Sequence, residues 1–186
     1  VWEKTYSPRN DSKGIPAVTD TILVYSKSGG FFPNRLPRTE EMDARYKNPD
    51  NDTRGAWKNA DSSAPGAATH LGMIYGIQHP ITGEMTYPST GRCWPFSQEK
   101  MLEIFSGWGP YERGEITDKE LENQQRVAGS SVEARTDVPP LVMRDWSRNK
   151  VHAQKRYEEG NWPQFYPTRG GTGGFGRKTH LTDVDS

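Results

Sequence analysis

Apolar side chains are too scarce in this chain to build a thick core. Hydrophobic residues, aromatics included, make up 32% of it, whereas ordinary globular chains run at roughly 45–50% when glycine is counted as well. The apolar material that exists comes in large pieces: six tryptophans, eight tyrosines and six phenylalanines, each able to bury more area than an aliphatic side chain. With nineteen glycines and fourteen prolines beside them, the sequence predicts a loop-rich chain pinned by aromatic anchors. Its length suits one ordinary domain, or one domain with part of a neighbour.

The best strand signal is Val18 to Lys27, where Ile22-Leu23-Val24-Tyr25 is apolar on both faces and is closed by Ser28-Gly29-Gly30. That pattern belongs to a buried strand in a covered sheet. Val1 to Lys4 is expected to add a second short strand, reached through a polar loop containing Pro8, Asn10, Asp11 and Gly14. Two such strands cannot bury themselves, so their sheet is expected to be completed by sequence outside this chain. A start at Val1 without methionine, and the unfinished character of His180 to Asp185, lead to the same expectation of an internal piece.

Further along, Thr39 is placed to cap a short helix through Arg45, with Glu40 and Glu41 in its first turn. Residues 47 to 70 read as a long irregular stretch dense in Asn, Asp, Gly and Pro. Met73 to His79 and Met85 to Tyr87 read as a hairpin about Pro80-Ile81-Thr82-Gly83. Ser97 caps a helix running to about Phe105, and Thr117-Asp118-Lys119-Glu120 is a capping box opening a helix to about Ala128. That second helix has little apolar face, which predicts weak packing or a partner. Asp145 to Glu159 is a further helix, closed by Gly160.

Several chemistries find no support. The four histidines, at 70, 79, 152 and 180, stand singly, without metal-ligand spacing. No Gly-x-Ser-x-Gly elbow is present, and Cys93, the single cysteine, excludes an internal disulfide and reads as a small, partly buried side chain. No stretch approaches the roughly 18 apolar residues of a membrane span, and the N-terminus has no signal-peptide pattern, so a cytoplasmic protein with no membrane partner is expected. Phe105-Ser106-Gly107-Trp108-Gly109 follows a helical pattern rather than a buried strand, so it is not expected to be a cofactor loop. Arg169 to Gly176 (RGGTGGFG) is expected to be a flexible connector, with Arg177-Lys178 beside it. Formal net charge is zero, yet residues 146 to 180 hold seven Lys/Arg against two Asp/Glu, and residues 99 to 145 hold six against ten. The uneven distribution permits an anionic partner.

The segment Arg45-Tyr46-Lys47-Asn48-Pro49-Asp50-Asn51-Asp52, followed by Arg54-Gly55 and Trp57-Lys58, resembles the adenine-specific DNA methyltransferases related to the modification subunit of type III restriction systems. The wider stretch 31 to 58 shares the resemblance, as do Asn10 to Lys13 with Ile22 to Lys27, Pro88 to Phe96 (PSTGRCWPF) and Gly173 to Val184, while residues 106 to 165 match least. The family's Asp-Pro-Pro-Tyr is absent, Pro139-Pro140 being the only Pro-Pro, and Asp20 and Thr53 stand where members often have His and Pro. The resemblance implies an α+β fragment. Its residues 1–30 would be edge strands of an α/β, Rossmann-like catalytic sheet, 31–168 an irregular, loop-rich target-recognition region, and 169–186 a connector toward the cofactor half. No catalytic, cofactor-binding or metal residue is expected within the chain, and S-adenosylmethionine would be bound by parts of the parent outside it. The implied partners are double-stranded DNA, with a homodimer or a restriction subunit besides.

Such an enzyme must flip adenine out of the duplex, which requires a firm grip on the DNA. Cations for phosphates, amides for base edges and aromatics for stacking supply that grip. The candidates are Arg35, Arg38, Arg45, Tyr46, Lys47, Asn48, Asn51, Arg54, Trp57, Lys58, Arg92, Arg177 and Lys178, with Arg45 to Lys58 expected to line a DNA-facing surface rather than the core. Asx-turns at Asn48 to Asp52 and a core position for Trp57 are the competing structural reading. The runner-up function is a non-catalytic DNA-binding or specificity module, and a more remote one is carbohydrate binding through exposed aromatics.

Overall fold

The computed structural model describes residues 2–3, 19–21, 23–25, 27, 29, 36–129 and 131–184. They divide into two compact units, Val1–Arg38 and Thr39–Ser186. The loop expected through Pro8 and Gly14, the residue Ile22 and the candidate Arg35 lie outside the described residues.

In the first unit β1 (Trp2–Glu3) pairs antiparallel with β2 (Thr19–Asp20). Among the described residues of the strand expected over 18–27, only Thr19 and Asp20 are in a strand. Leu23, Val24 and Tyr25 belong to no strand and are 68%, 68% and 86% exposed. A run apolar on both faces needs a cover on each, and among the described residues nothing supplies one.

The second unit begins with α1 (Glu40–Asp43), whose N-cap Thr39 accepts from the Met42 N–H as the sequence predicts, although the helix ends two residues early. The stretch 47–70 is not irregular throughout. It contains β3 (Trp57–Ala60), β4 (Ala64–Pro65) and a turn of 3-10 helix at Ala67–Thr69, because the indole of Trp57 is buried and fixes the chain on either side. Next come β5 (Ile77–Gln78) and β6 (Met85–Thr86), the expected hairpin, then β7 (Arg92–Cys93), which pairs with β4. Helix α2 (Gln98–Ser106) starts from Ser97 and is followed by β8 (Tyr111–Arg113), α3 (Asp118–Ala128) and β9 (Leu141–Met143). The chain closes with α4 (Trp146–Glu159), β10 (Phe165–Pro167) and β11 (Phe175–His180).

Two sheets organise this mixed α+β unit. One has the order β6-β5-β9-β8, with β5 and β9 parallel at Ile77 and Leu141 and the outer pairs antiparallel. The other is antiparallel, in the order β10-β11-β3. Its central strand runs through the segment expected as a connector, 169–186. The glycine cluster is the turn of the β10–β11 hairpin, closed by Thr168 and Gly174, and β11 pairs with β3 at four positions inside the same unit.

The core is largely rings, as the composition predicts. Trp57, Tyr75, Trp94, Phe105, Trp108, Tyr111, Phe165, Tyr166 and Phe175 form one buried cluster with Ile77, Met101, Leu141 and Met143. Gly107-Trp108-Gly109 contributes to it: Trp108 follows the end of α2, and its indole donates to the Phe165 carbonyl at 2.8 Å. A smaller cluster holds Ala67, Ile74, Val127 and Cys93, whose thiol burial pushes its pKa up. His79 is 2% exposed and ties the two sheets together. Its Nδ1 faces the N–H groups of Ile81 and Thr82, so Nε2 carries the proton and donates to the Gly173 carbonyl at 3.1 Å. Burial lowers its pKa and keeps the ring neutral.

Helix α3 corrects a second expectation, since it packs closely despite its polar sequence. It buries Glu120, Gln124 and Val127. The Glu120 carboxylate accepts from the Gly76 N–H at 2.9 Å, the Tyr87 hydroxyl at 2.6 Å and the Gln124 amide at 3.2 Å, and Gln124 also donates to the Val138 carbonyl. Complete pairing lets polar side chains do what an apolar stripe usually does. We predict that Glu120→Ala lowers stability by about 3 kcal/mol by orphaning buried donors, whereas the exposed Gln125→Ala shifts it by less than about 0.5 kcal/mol; urea denaturation measures both.

Candidate nucleic-acid interface

The segment Arg45 to Lys58 folds around its own acids. Asn48 accepts from the Asp52 N–H at 2.6 Å and donates to the Asp52 carbonyl at 3.0 Å, closing a tight loop through Asn51, which adopts φ +54°. The loop turns Asp50 and Asp52 inward, to 2% and 7% exposure. Alternation along β11 sends Lys178 and His180 to the same side, where the register sets them against Asn59 and Trp57. Acids two residues apart in the loop thereby meet bases two residues apart in the strand.

The Lys178 ammonium is fully buried and uses all three of its donors: Asp50 Oδ2 at 2.6 Å, Asp52 Oδ2 at 2.6 Å and the Trp162 carbonyl at 2.7 Å. It also lies 5.1 Å from the centroid of the Trp57 ring. Asp50 is completed by the Trp57 indole at 2.8 Å and the Trp162 N–H at 2.7 Å. Asp52 is completed by the Arg54 N–H and by His180 Nε2, each at 2.9 Å. Burial works against ionisation of Asp52, but the bonds from Lys178, Arg54 and His180 outweigh it and hold its pKa at about 2. Trp162 stacks on Tyr157 at 4.8 Å and on Tyr166 at 5.3 Å, extending the site into a column of rings.

Gly160 joins this loop to α4. It ends the helix at φ +87°, and a Cβ there would collide with the Asp50 carbonyl oxygen, so only glycine fits. The next residue, Asn161, donates its N–H to that same carbonyl.

The candidate residues divide accordingly. Arg45, Lys47, Asn51, Arg54 and Lys58 are exposed. Lys58 lies 5.2 Å above the ring of Tyr46, and Arg54 pairs with Asp183 at 2.6 Å across the surface. Tyr46 and Trp57 are buried at 8% and 6%, and Lys178 is enclosed, so the expectation that 45–58 faces outward rather than inward is corrected for its aromatics and acids. Asn48 is exposed, but its amide is committed to Asp52, as the Asx-turn reading has it. Arg92 is held by Asp61 at 3.1 Å and by the Ser63 hydroxyl and carbonyl. Arg177 is half-buried over Phe96 at 5.8 Å, and Arg38 is half-buried at the end of the first unit. The partners missed from sequence are Asp50, Asp52 and His180. The equal spacing of the two pairs was the available signal.

The outcome is a sorting of charge. Both acids in residues 45 to 58 are buried and bonded to Lys178, and four cations of that segment stay exposed. No family model matches the chain, and neither a curated protein nor a solved structure matches it.

Two outcomes are expected for the buried cluster. Asp52 takes up a proton near 3.8 when unfolded but only near 2 when folded, so its stabilisation is complete above 3.8 and is lost as pH falls through 2. Acid unfolding followed by circular dichroism should steepen in that window, and Asp52→Asn should flatten it. Lys178→Met leaves two carboxylates facing each other and should cost about 3–5 kcal/mol at neutral pH.

Proposed function

We propose that this chain supplies DNA target recognition to a site-specific DNA methyltransferase that transfers a methyl group from S-adenosylmethionine to adenine N6, as in restriction-modification systems. The observation that carries the reading is the sorting of charge in 45–58. With Asp50 and Asp52 inside the fold, the segment offers Arg45, Lys47 and Lys58 to an anionic partner and sets no exposed carboxylate of its own among them, while Arg54 is paired with Asp183. Phosphate backbones are bound through such cations. The resemblance of this same segment to the adenine-specific enzymes points to duplex DNA.

In this reading β1 and β2 are edge strands of the catalytic, Rossmann-like sheet, and the exposed Leu23 to Tyr25 are covered by the rest of it. The residues that hold the flipped adenine and the cofactor belong to the parent outside this chain. The parent works in the cytoplasm, and no helix among the described residues is long and apolar enough to cross a membrane.

Fluorescence anisotropy of the chain with duplex DNA at several salt concentrations tests the recognition step. Each of Arg45→Ala, Lys47→Ala and Lys58→Ala should weaken binding to all sequences alike and reduce the salt slope by about 0.9 per lost phosphate contact. An unchanged slope refutes the reading. A methyl-transfer assay separates it from a non-catalytic specificity module: the chain alone transfers nothing, while the intact parent labels adenine. An inert parent that still binds its site selects the module.

A further inference from the structure

Helix α4 presents a face that the cationic loop does not account for. Its fourteen residues span about 21 Å. Only Ala153 is fully buried, with Trp146, Asn149 and Tyr157 half-buried on the same side. Helical spacing puts Ser147, Arg148, Val151, Gln154, Lys155 and Glu158 on the opposite side, all of them exposed, with Gln154 donating to Glu158 at 2.8 Å. Val151 is 65% exposed at the middle of that stripe.

Charge along the helix runs one way. From Trp146 to Tyr157 there are four cations, Arg148, Lys150, Lys155 and Arg156, and no acid; Glu158 and Glu159 come in the last turn. Lys155 meets Glu159 at 3.5 Å in an exposed pair, which a phosphate can displace at little cost. The helix is also held at both ends. The Trp146 indole donates to the Pro80 carbonyl at 3.2 Å and rests on Gly83, where any Cβ would strike the ring. Tyr157 stacks on Trp162, and Gly160 and Asn161 lock the far end to the Asp50 loop. A rigidly mounted helix with a cationic, partly apolar outer face has the dimensions and chemistry of a major-groove reader.

We propose that α4 reads base edges in the major groove of duplex DNA, with Val151 against a thymine methyl and Arg148 on the hydrogen-bonding edge of an adjacent purine, while Lys150 and Lys155 hold the flanking phosphates. This rests on the DNA-recognition reading above. It assigns sequence discrimination to α4 and leaves backbone grip to residues 45–58.

The test is selection from a duplex pool with a randomised centre, using the full chain, the variants Val151→Ala and Arg148→Gln, and Lys58→Ala for comparison. The substitutions in α4 are at exposed positions, and thermal unfolding verifies that each variant folds. Wild type should enrich one motif. Val151→Ala and Arg148→Gln should each lose about tenfold enrichment at one or two neighbouring base pairs, with affinity for the unselected pool within about twofold. Lys58→Ala should weaken binding to every duplex and keep the motif. An unaltered motif in both α4 variants overturns the assignment while leaving the DNA reading intact. A uniform loss of affinity without a change of motif also overturns it, making the helix a phosphate clamp. Failure of the wild-type chain to retain any duplex overturns both readings.

Discussion

The second unit depends on a single ammonium group. Lys178 sits without solvent between two carboxylates, and removing it leaves two buried negative charges facing each other with no ammonium between them. Replacing all three with apolar side chains of equal volume would satisfy the core as well. It would not turn the loop inward at one register, because the loop's geometry follows from which oxygen meets which donor. Hydrophobic burial supplies most of the stabilisation here, while the ion cluster specifies the arrangement of the 48–54 loop, β11 and the end of α4.

A ring-rich core suits this arrangement. Aromatic side chains fill volume with few residues, and the indole N–H groups of Trp57, Trp94 and Trp108 each bond to an acceptor inside the fold. The shortage of aliphatic residues is thus compensated twice, by ring area and by polar bonds buried with it. Helix α3 follows the same economy, docking through Glu120 and Gln124 where another protein would use leucine.

Local signals in the sequence located the helices and the β5–β6 hairpin well, since Thr39, Ser97, Thr117 and Gly160 act through neighbouring backbone groups. What stayed hidden was long-range. Nothing near Asp50 announces Lys178, which lies 128 positions away, and the glycine cluster at 169–176 reads as slack until β11 is known to pair with β3. The same gap explains the candidate interface. Composition placed cations, amides and aromatics in 45–58 correctly as an inventory, but only tertiary structure divides that inventory into a buried half and an exposed half. The apolar run misled in the opposite direction: Leu23, Val24 and Tyr25 are exposed and in no strand.

The close approach of Gly160 to Asp50 has a mechanical consequence. The cationic loop and α4 share a backbone contact too tight for a methyl group, with the Asn161 N–H bonded to the Asp50 carbonyl and the Asn161 side chain within 3.4 Å of the Thr53 N–H. Neither element can shift by itself without breaking that joint. The 48–54 loop and α4 are therefore mounted as one piece, with the spacing between them set inside the protein.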